Sequence, residues 1–382
     1  KRLIYTYFGG LVMKDNRVSQ VLKKMEENNI PQMLVSDPLA IFYLTGYFLN
    51  PGERLFSLYL NTNGNHKLFV NALFPIEEDL GVEKVIFTDT DDSVEVVSKY
   101  VDKSATIGVD KNWPARFVLA LMEHCPESKF VNSSFIVDTM RMYKDEEEKE
   151  LMRKVSLMND EACEIIIGRI TADKTEKQIA NELIQLYEEM GAEGLSFDPI
   201  IGMAANGANP HGEPGDRLPN PGDAIIVDIG CKKNMYCSDM TRTVFWKEVS
   251  DKGREVFEIV LEANKRGIAA SKPGARFCDI DAACRDYITE MGYGEYFTHR
   301  TGHHIGLEDH DYGDVSSVNT AVAEPGMIFS IEPGIYLPGE FGVRIEDLVL
   351  ITEDGCEVLN KYNKEFGVRI EDLVLITEDG CE

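Results

Sequence analysis

The chain has 382 residues, 43% hydrophobic and 27% charged. That is a globular composition with too many core formers for a disordered chain, and enough length for two domains. Sixty-six acidic residues against 39 basic ones leave a net charge of −27, which argues against nucleic acid or an anionic membrane as partner. No apolar run approaches the roughly 20 residues that cross a bilayer.

In chain order, residues 1–12 (KRLIYTYFGGLV) are basic then apolar, loosely like a signal peptide, but no small-residue cleavage site precedes Met13. They are expected to lie outside the fold. Residues 18–28 are amphipathic, with Val18, Val21, Leu22 and Met25 on one helical face. Apolar runs at 33–35, 58–60, 67–70 and 84–87, broken by Asn, Gly, Pro and Asp, read as strands of a small α/β domain over 13–140. Residues 144–170 open on acids, as a helix N-terminus favours, and run without proline for some seven turns. Thr175 and Gln178 match a capping box that opens a second helix to about Met190. Strand-like pieces follow at 224–229 and 239–245, helices at 253–270 and 279–291, and strands at 327–331 and 343–352. This second domain, over 144–361, reads as α+β. Residues 341–357 (FGVRIEDLVLITEDGCE) recur letter for letter at 366–382. Structural repeats diverge, so the second copy, with all of 362–382, is expected outside the fold, or as an edge strand for a partner chain. The eight cysteines stand singly, without a Cys-x-x-Cys pair, as reduced thiols of a cytoplasmic protein would.

The chemistry concentrates in the second domain. Asp228 ends a buried-looking strand (AIIVDIG), Asp239 heads another (DMTRTV), and Glu332 and Glu346 stand in apolar surroundings (FSIEPG, VRIED). His299, His303 and His304 cluster in THRTGHHIG; five of the seven histidines fall between His211 and His310. Burying a carboxylate is costly unless it is neutralised or paired. One such acid is commonplace, whereas four in one domain call for cations or buried salt bridges. An oxygen-dominated site with one imidazole suits Mn, Co or Zn better than Cu or an iron–sulfur cluster.

The stretches VDIG, SDMTRT, GHHIG, SIEPGIY and GVRIED resemble those of the pita-bread metallopeptidases, the group of aminopeptidase P and prolidase, over essentially the whole chain from Met13 to about Lys361. The resemblance implies a small N-terminal α/β domain before a pita-bread catalytic domain. It implies two divalent metal ions, Mn first and Co or Zn as alternatives, held by Asp228, Asp239, His303, Glu332 and Glu346. In that pattern Asp239 and Glu346 bridge the pair, and a metal-bridging hydroxide attacks the peptide. Glu332 doubles as the proton-handling acid, and His211 and His310 are the catalytic histidines on the substrate side. His299 and Arg344 complete the substrate-binding set, while His304 is turned the other way on its strand. The substrates implied are proline-containing peptides, and a homodimer is expected. No Lys or Arg lies in 311–331, where prolidases often carry a basic residue for the dipeptide carboxylate, and HDYG at 310–313 is closer to aminopeptidase P. The sequence therefore tips toward Xaa-Pro aminopeptidase activity, with Xaa-Pro dipeptidase (prolidase) as the alternative. A metal-free pita-bread binding protein or a creatinase-like hydrolase are the readings of another class, and the intact acid set argues against both.

Overall fold

In the computed structural model, residues 13–370 and 373–375 are described, and the chain divides into two compact units between Arg141 and Met142. Residues 1–12 lie outside the described residues. The first unit is built on a six-stranded mixed sheet of β1 (Gln32–Val35), β2 (Ser57–Asn61), β3 (Lys67–Asn71), β4 (Glu83–Phe87), β5 (Ile107–Val109) and β6 (Phe130–Asn132), in the order β4-β3-β2-β1-β5-β6. Helices α1 (Asp15–Glu27), α2 (Pro38–Thr45), α3 (Ser93–Ser98), α4 (Ala115–His124) and α5 (Ser134–Arg141) accompany it. Leu34, Tyr59, Phe69 and Ile107 of the sheet share a core with Val94 and Val97 of α3 and Leu121 of α4. On the α1 face read from the sequence, Val18, Val21 and Met25 are buried and Leu22 is half-buried.

The second unit opens with α6 (Glu146–Gly168) and α7 (Glu176–Glu189). Both start in complete capping boxes, Asp145 with Glu148 and Thr175 with Gln178, which satisfy orphan N–H donors reciprocally. Short β7 (Gly194–Leu195) pairs with β10 (Cys231–Lys233), itself paired with β11 (Tyr236–Cys237). The main sheet sets β8 (Ile200–Met203) and β9 (Ala224–Ile229) against β12 (Met240–Trp246). Helices α8 (Asp251–Ala270) and α9 (Phe277–Glu290) pack through Phe257, Val260, Phe277 and Ile280 onto Phe329, Ile331 and Ile345. The later strands are β13 (Gly302–His303), β14 (Asp314–Val315), β15 (Ile328–Ile331), β16 (Gly334–Leu337), β17 (Phe341–Arg344), β18 (Asp347–Ile351) and β19 (Cys356–Val358).

The single strand expected over 343–352 is two. Strand β17 pairs with β16, whereas β18 lies between β15 and β19. The break falls at Ile345 and Glu346, where the Glu346 N–H donates instead to the Thr241 carbonyl, 3.1 Å away.

The repeated tail also departs from expectation. Lys364 reaches Asn264 and Asp347 (2.8 and 2.6 Å), and the Phe366 ring stacks on Phe245 at 5.6 Å, so the fold extends past Lys361. Residues β20 (Val368–Ile370) pair in parallel with Phe245 and Trp246 of β12, and β21 (Leu373–Leu375) pairs back on β20. Because β17 takes β16 as its partner, the edge of β12 away from β9 is open, and the second copy fills it within the same chain. Residues 371, 372 and 376–382 lie outside the described residues.

Candidate metal centre

Strand ends deliver the acids. Strands β9 and β12 run antiparallel with Asp228 opposite Thr241, which brings Asp239, just ahead of β12, to the same end. Ile331 of β15 lies opposite Asp347 of β18, so Glu332 and Glu346 flank that register. Two buried asparagines on helices hold these ends: Asn159 of α6 donates to the Ile229 carbonyl at 2.8 Å, and Asn264 of α8 to the Ile331 carbonyl at 2.9 Å. Gly302 lets β13 press against β15, since a Cβ there would strike the Ser330 carbonyl. His303 follows it, its N–H donating to Ser330 Oγ at 3.0 Å.

Asp228, Asp239, His303, Glu332 and Glu346 all line one cavity of about 620 Å³. Ligand atoms of Asp239, His303 and Glu346 lie within 4.8 Å of one another. His303 donates from Nδ1 to the His304 carbonyl (3.1 Å), which leaves the Nε2 lone pair facing Asp239 Oδ2 at 3.4 Å and Glu332 Oε1 at 3.6 Å. Burial holds His303 well below the usual imidazole range, with His310 adding to it, so this lone pair is free for a cation.

The carboxyls carry the opposite signature. Burial, then Glu346, raises Asp239 well above the usual range; burial, then Glu332, does the same to Glu346; and burial pushes Glu332 up to about 8. Asp228 Oδ1, Asp239 Oδ1 and Glu346 Oε1 are buried without a hydrogen-bond partner. Acids crowded this closely cannot all ionise unless a cation stands among them. Orphaned oxygens around a neutral imidazole make a donor set that fits divalent cations, and buried salt bridges do not replace them: among the described residues only Arg344 reaches one of the four, Asp228.

The remaining residues divide. Arg344 is 3% exposed and spends its donors internally, on Asp228 Oδ2, on the Tyr336 hydroxyl (2.6 Å), on Thr241 Oγ1 (3.1 Å) and on the Pro210 carbonyl (3.3 Å). His299 is likewise committed, donating from Nδ1 to the Arg300 carbonyl (2.7 Å) and accepting at Nε2 from Tyr336 (2.9 Å). Burial, followed by Arg344, pushes it down to about 4. Both residues, expected to contact substrate, line the cavity while supporting Asp228 and Tyr336. His211 is exposed on the 204–217 loop and lines the cavity, and so does His310, whose ring centroid is 4.0 Å from that of His303. His304 faces away, packed between Phe277 and Phe329. Among the cavity residues that the sequence did not single out are Asp309 and Arg300. Asp309 is pushed up to about 7 by burial and then by Asp228, and its Oδ1 is also orphaned. Arg300 donates to His310 Nδ1 at 3.2 Å.

Comparison with known proteins agrees with this geometry. The model of metallopeptidase family M24 matches residues 150–353, and the creatinase/prolidase N-terminal domain matches 17–143. The chain belongs to family M24. It is a metallopeptidase with a pita-bread catalytic domain behind a creatinase-type N-terminal domain, and divalent cations are the family's cofactors. An uncharacterised peptidase of Staphylococcus saprophyticus is 37% identical over 356 residues, covering 91% of this chain and all of that protein. The prolidase of Thermococcus sibiricus superposes with a TM-score of 0.87 at 30% identity, covering 93% of this chain and 98% of its own. The X-Pro aminopeptidase of Thermotoga maritima does so at 0.79 and 32%, covering 91% and 100%. No helix among the described residues is long and apolar enough to cross a membrane.

Proposed function

We propose that this M24 metallopeptidase hydrolyses the Xaa-Pro bond at the N-terminus of short peptides with two divalent cations, Mn foremost, held by Asp228, Asp239, His303, Glu332 and Glu346. The observation that carries the reading is the set of buried, partnerless carboxylate oxygens around the His303 Nε2 lone pair. Four carboxylates match the charge of two divalent ions. Such ions supply Lewis acidity and a water activated at neutral pH.

The chain's own groups do the rest. Glu332, lining the cavity beside His303, takes the proton of the attacking water and passes it to the prolyl nitrogen. That transfer matters for proline, whose tertiary amide nitrogen carries no hydrogen and leaves poorly without one. His310 accepts from Arg300 at Nδ1, so its neutral form carries the hydrogen on Nε2, where it can donate to the developing oxyanion. His211 faces the same cavity from the opposite loop as a second donor. Arg344 holds Asp228 directly, and His299 fixes the Tyr336 hydroxyl to which Arg344 also donates, so both position the centre from the cavity wall.

Metal analysis of the purified protein, with hydrolysis of Ala-Pro, Ala-Pro-Ala and Ala-Ala under Mn, Co and Zn, tests the proposal. About two bound ions per chain and cleavage confined to the proline substrates are expected. A metal-free protein that cleaves none of them would put it among the binding or creatinase-like readings instead.

A further inference from the structure

The cavity is lined by seven carboxyls and only two cationic side chains other than histidine, Arg300 and Arg344. Arg344 is consumed by Asp228, Tyr336 and Thr241. Arg300 is not. Among the described residues its side chain makes one hydrogen bond, from Nη2 to His310 Nδ1, and no ion pair. Its remaining donors are half-buried at the rim, where His310 keeps 57% of its side chain exposed. A guanidinium that forms no ion pair among the described residues and acts on Asp309 and Glu332 only at longer range, in a cleft whose metal-facing acids are reserved for cations, is a built receptor for an anion. Its planar fork matches a carboxylate through two parallel bonds.

We infer that Arg300 binds the C-terminal carboxylate of the substrate and makes this chain a dipeptidase. The inference rests on the Xaa-Pro reading above and names its substrate class. His310, to which Arg300 is bound, lies tilted against His303 with ring centroids 4.0 Å apart, so the guanidinium lies one side chain away from the reacting centre. One residue of peptide spans at most about 3.3–3.6 Å. In an Xaa-Pro dipeptide the free carboxylate therefore falls beside the scissile bond, within the reach of this arginine. In a longer peptide a neutral amide occupies that place and leaves the guanidinium unpaired. The cation missing from 311–331 is thus supplied from the other side of the metal-facing histidine, by the residue next to His299. This reverses the preference for longer peptides that the sequence suggested.

The test compares Ala-Pro with Ala-Pro-amide and Ala-Pro-Ala on the Mn-loaded protein and on R300Q and R300K. The native protein should favour Ala-Pro over the amide by roughly ten- to a hundredfold in kcat/KM, the worth of a charge-assisted hydrogen bond. R300Q should bring that ratio close to one, mainly through KM for Ala-Pro, and R300K should restore part of it. Any loss that R300Q causes through His310 falls on both substrates and cancels in the ratio. An unchanged ratio in R300Q, or a native preference for Ala-Pro-Ala, overturns the inference. Binding supplies a readout that does not need turnover: L-proline should bind the native protein at least tenfold tighter than L-prolinamide, and R300Q should lose the difference. If no Xaa-Pro substrate is cleaved while this difference persists, the activity is wrong and the carboxylate anchor stands; equal binding of the two ligands overturns the anchor.

Discussion

At the scale of single residues, the candidate centre is a set of acids whose pKa values burial and mutual repulsion raise. Glu332 rises to about 8 in the folded chain from an ordinary 4.5, chiefly through burial, and Asp239 and Glu346 rise with it. An acid with a higher pKa folded than unfolded takes up protons on folding. Its contribution to stability is complete below the unfolded value and is lost as pH rises through the folded one. The chelated protein should therefore lose thermal stability between about pH 4.5 and pH 8, and the gain from added Mn should grow over the same interval, because binding releases those protons. Unfolding curves with chelator and with Mn across that range check both signs; a metal-free protein that becomes more stable toward pH 8 would contradict them. The histidines separate by another measurement. His303→Ala should reduce bound metal, whereas His211→Ala and His310→Ala should retain it and lose about 10²–10³ in kcat, the usual cost of one oxyanion donor. Equal metal loss in all three would show that the division is wrong. The five acid and imidazole positions were legible in the sequence because each sits in a short, distinctive stretch. Asp309 and Arg300 were not, since a carboxyl or guanidinium in a loop says nothing until long-range packing shows what surrounds it. Arg344 and His299 were visible, but their commitment to Tyr336 was hidden in contacts 8 and 37 residues away.

At the scale of elements, the periodicities and caps read from the sequence correspond to helices because both signals are local. The capping box at Thr175 is one example, closing within three residues, and the acidic opening of α6 is another, where the structure adds a capping box at Asp145. Strand partners are not local, and there the reading fell short. The break at Glu346 is set by a backbone bond to Thr241, more than a hundred residues earlier, and the place of the repeated tail by the vacant edge of β12. The close approach of β13 and β15 is a further long-range fact, and it carries a prediction. Gly302→Ala would drive a methyl group into the Ser330 carbonyl, which is backbone and cannot rotate away. The strands must part, carrying His303 away from Glu332. A loss of about 1–3 kcal/mol is expected from the overpacking, with weaker Mn binding. Gly168→Ala is the control: nothing lies within 4 Å of its added Cβ, so stability and metal content should be kept. Tight Mn binding in a stable Gly302→Ala protein would show that the strand spacing does not set the ligand geometry.

At the scale of the whole molecule, the chain holds two cores, and every residue of the candidate centre belongs to the second unit, from Met142 onward. The first unit has its own six-stranded sheet, with Leu34, Phe69 and Ile107 fully buried in it, and needs none of those acids for its packing. A ligand stabilises only the state that binds it, by about 2.7 kcal/mol when its concentration is a hundred times its dissociation constant. Mn should therefore raise the unfolding temperature of the second unit directly. The first unit should shift only to the extent that the two unfold together. Calorimetry of the chelated and Mn-loaded protein reads this as either two transitions, of which one moves, or a single transition that moves whole. Asp239→Ala separates the two cases further. It removes the metal response while leaving the sheet of residues 32–132 untouched, so a separate first transition should stay where it was. A first-unit transition that itself follows Mn in the native protein and falls in Asp239→Ala would mean that the stability of the N-terminal sheet depends on the metal centre.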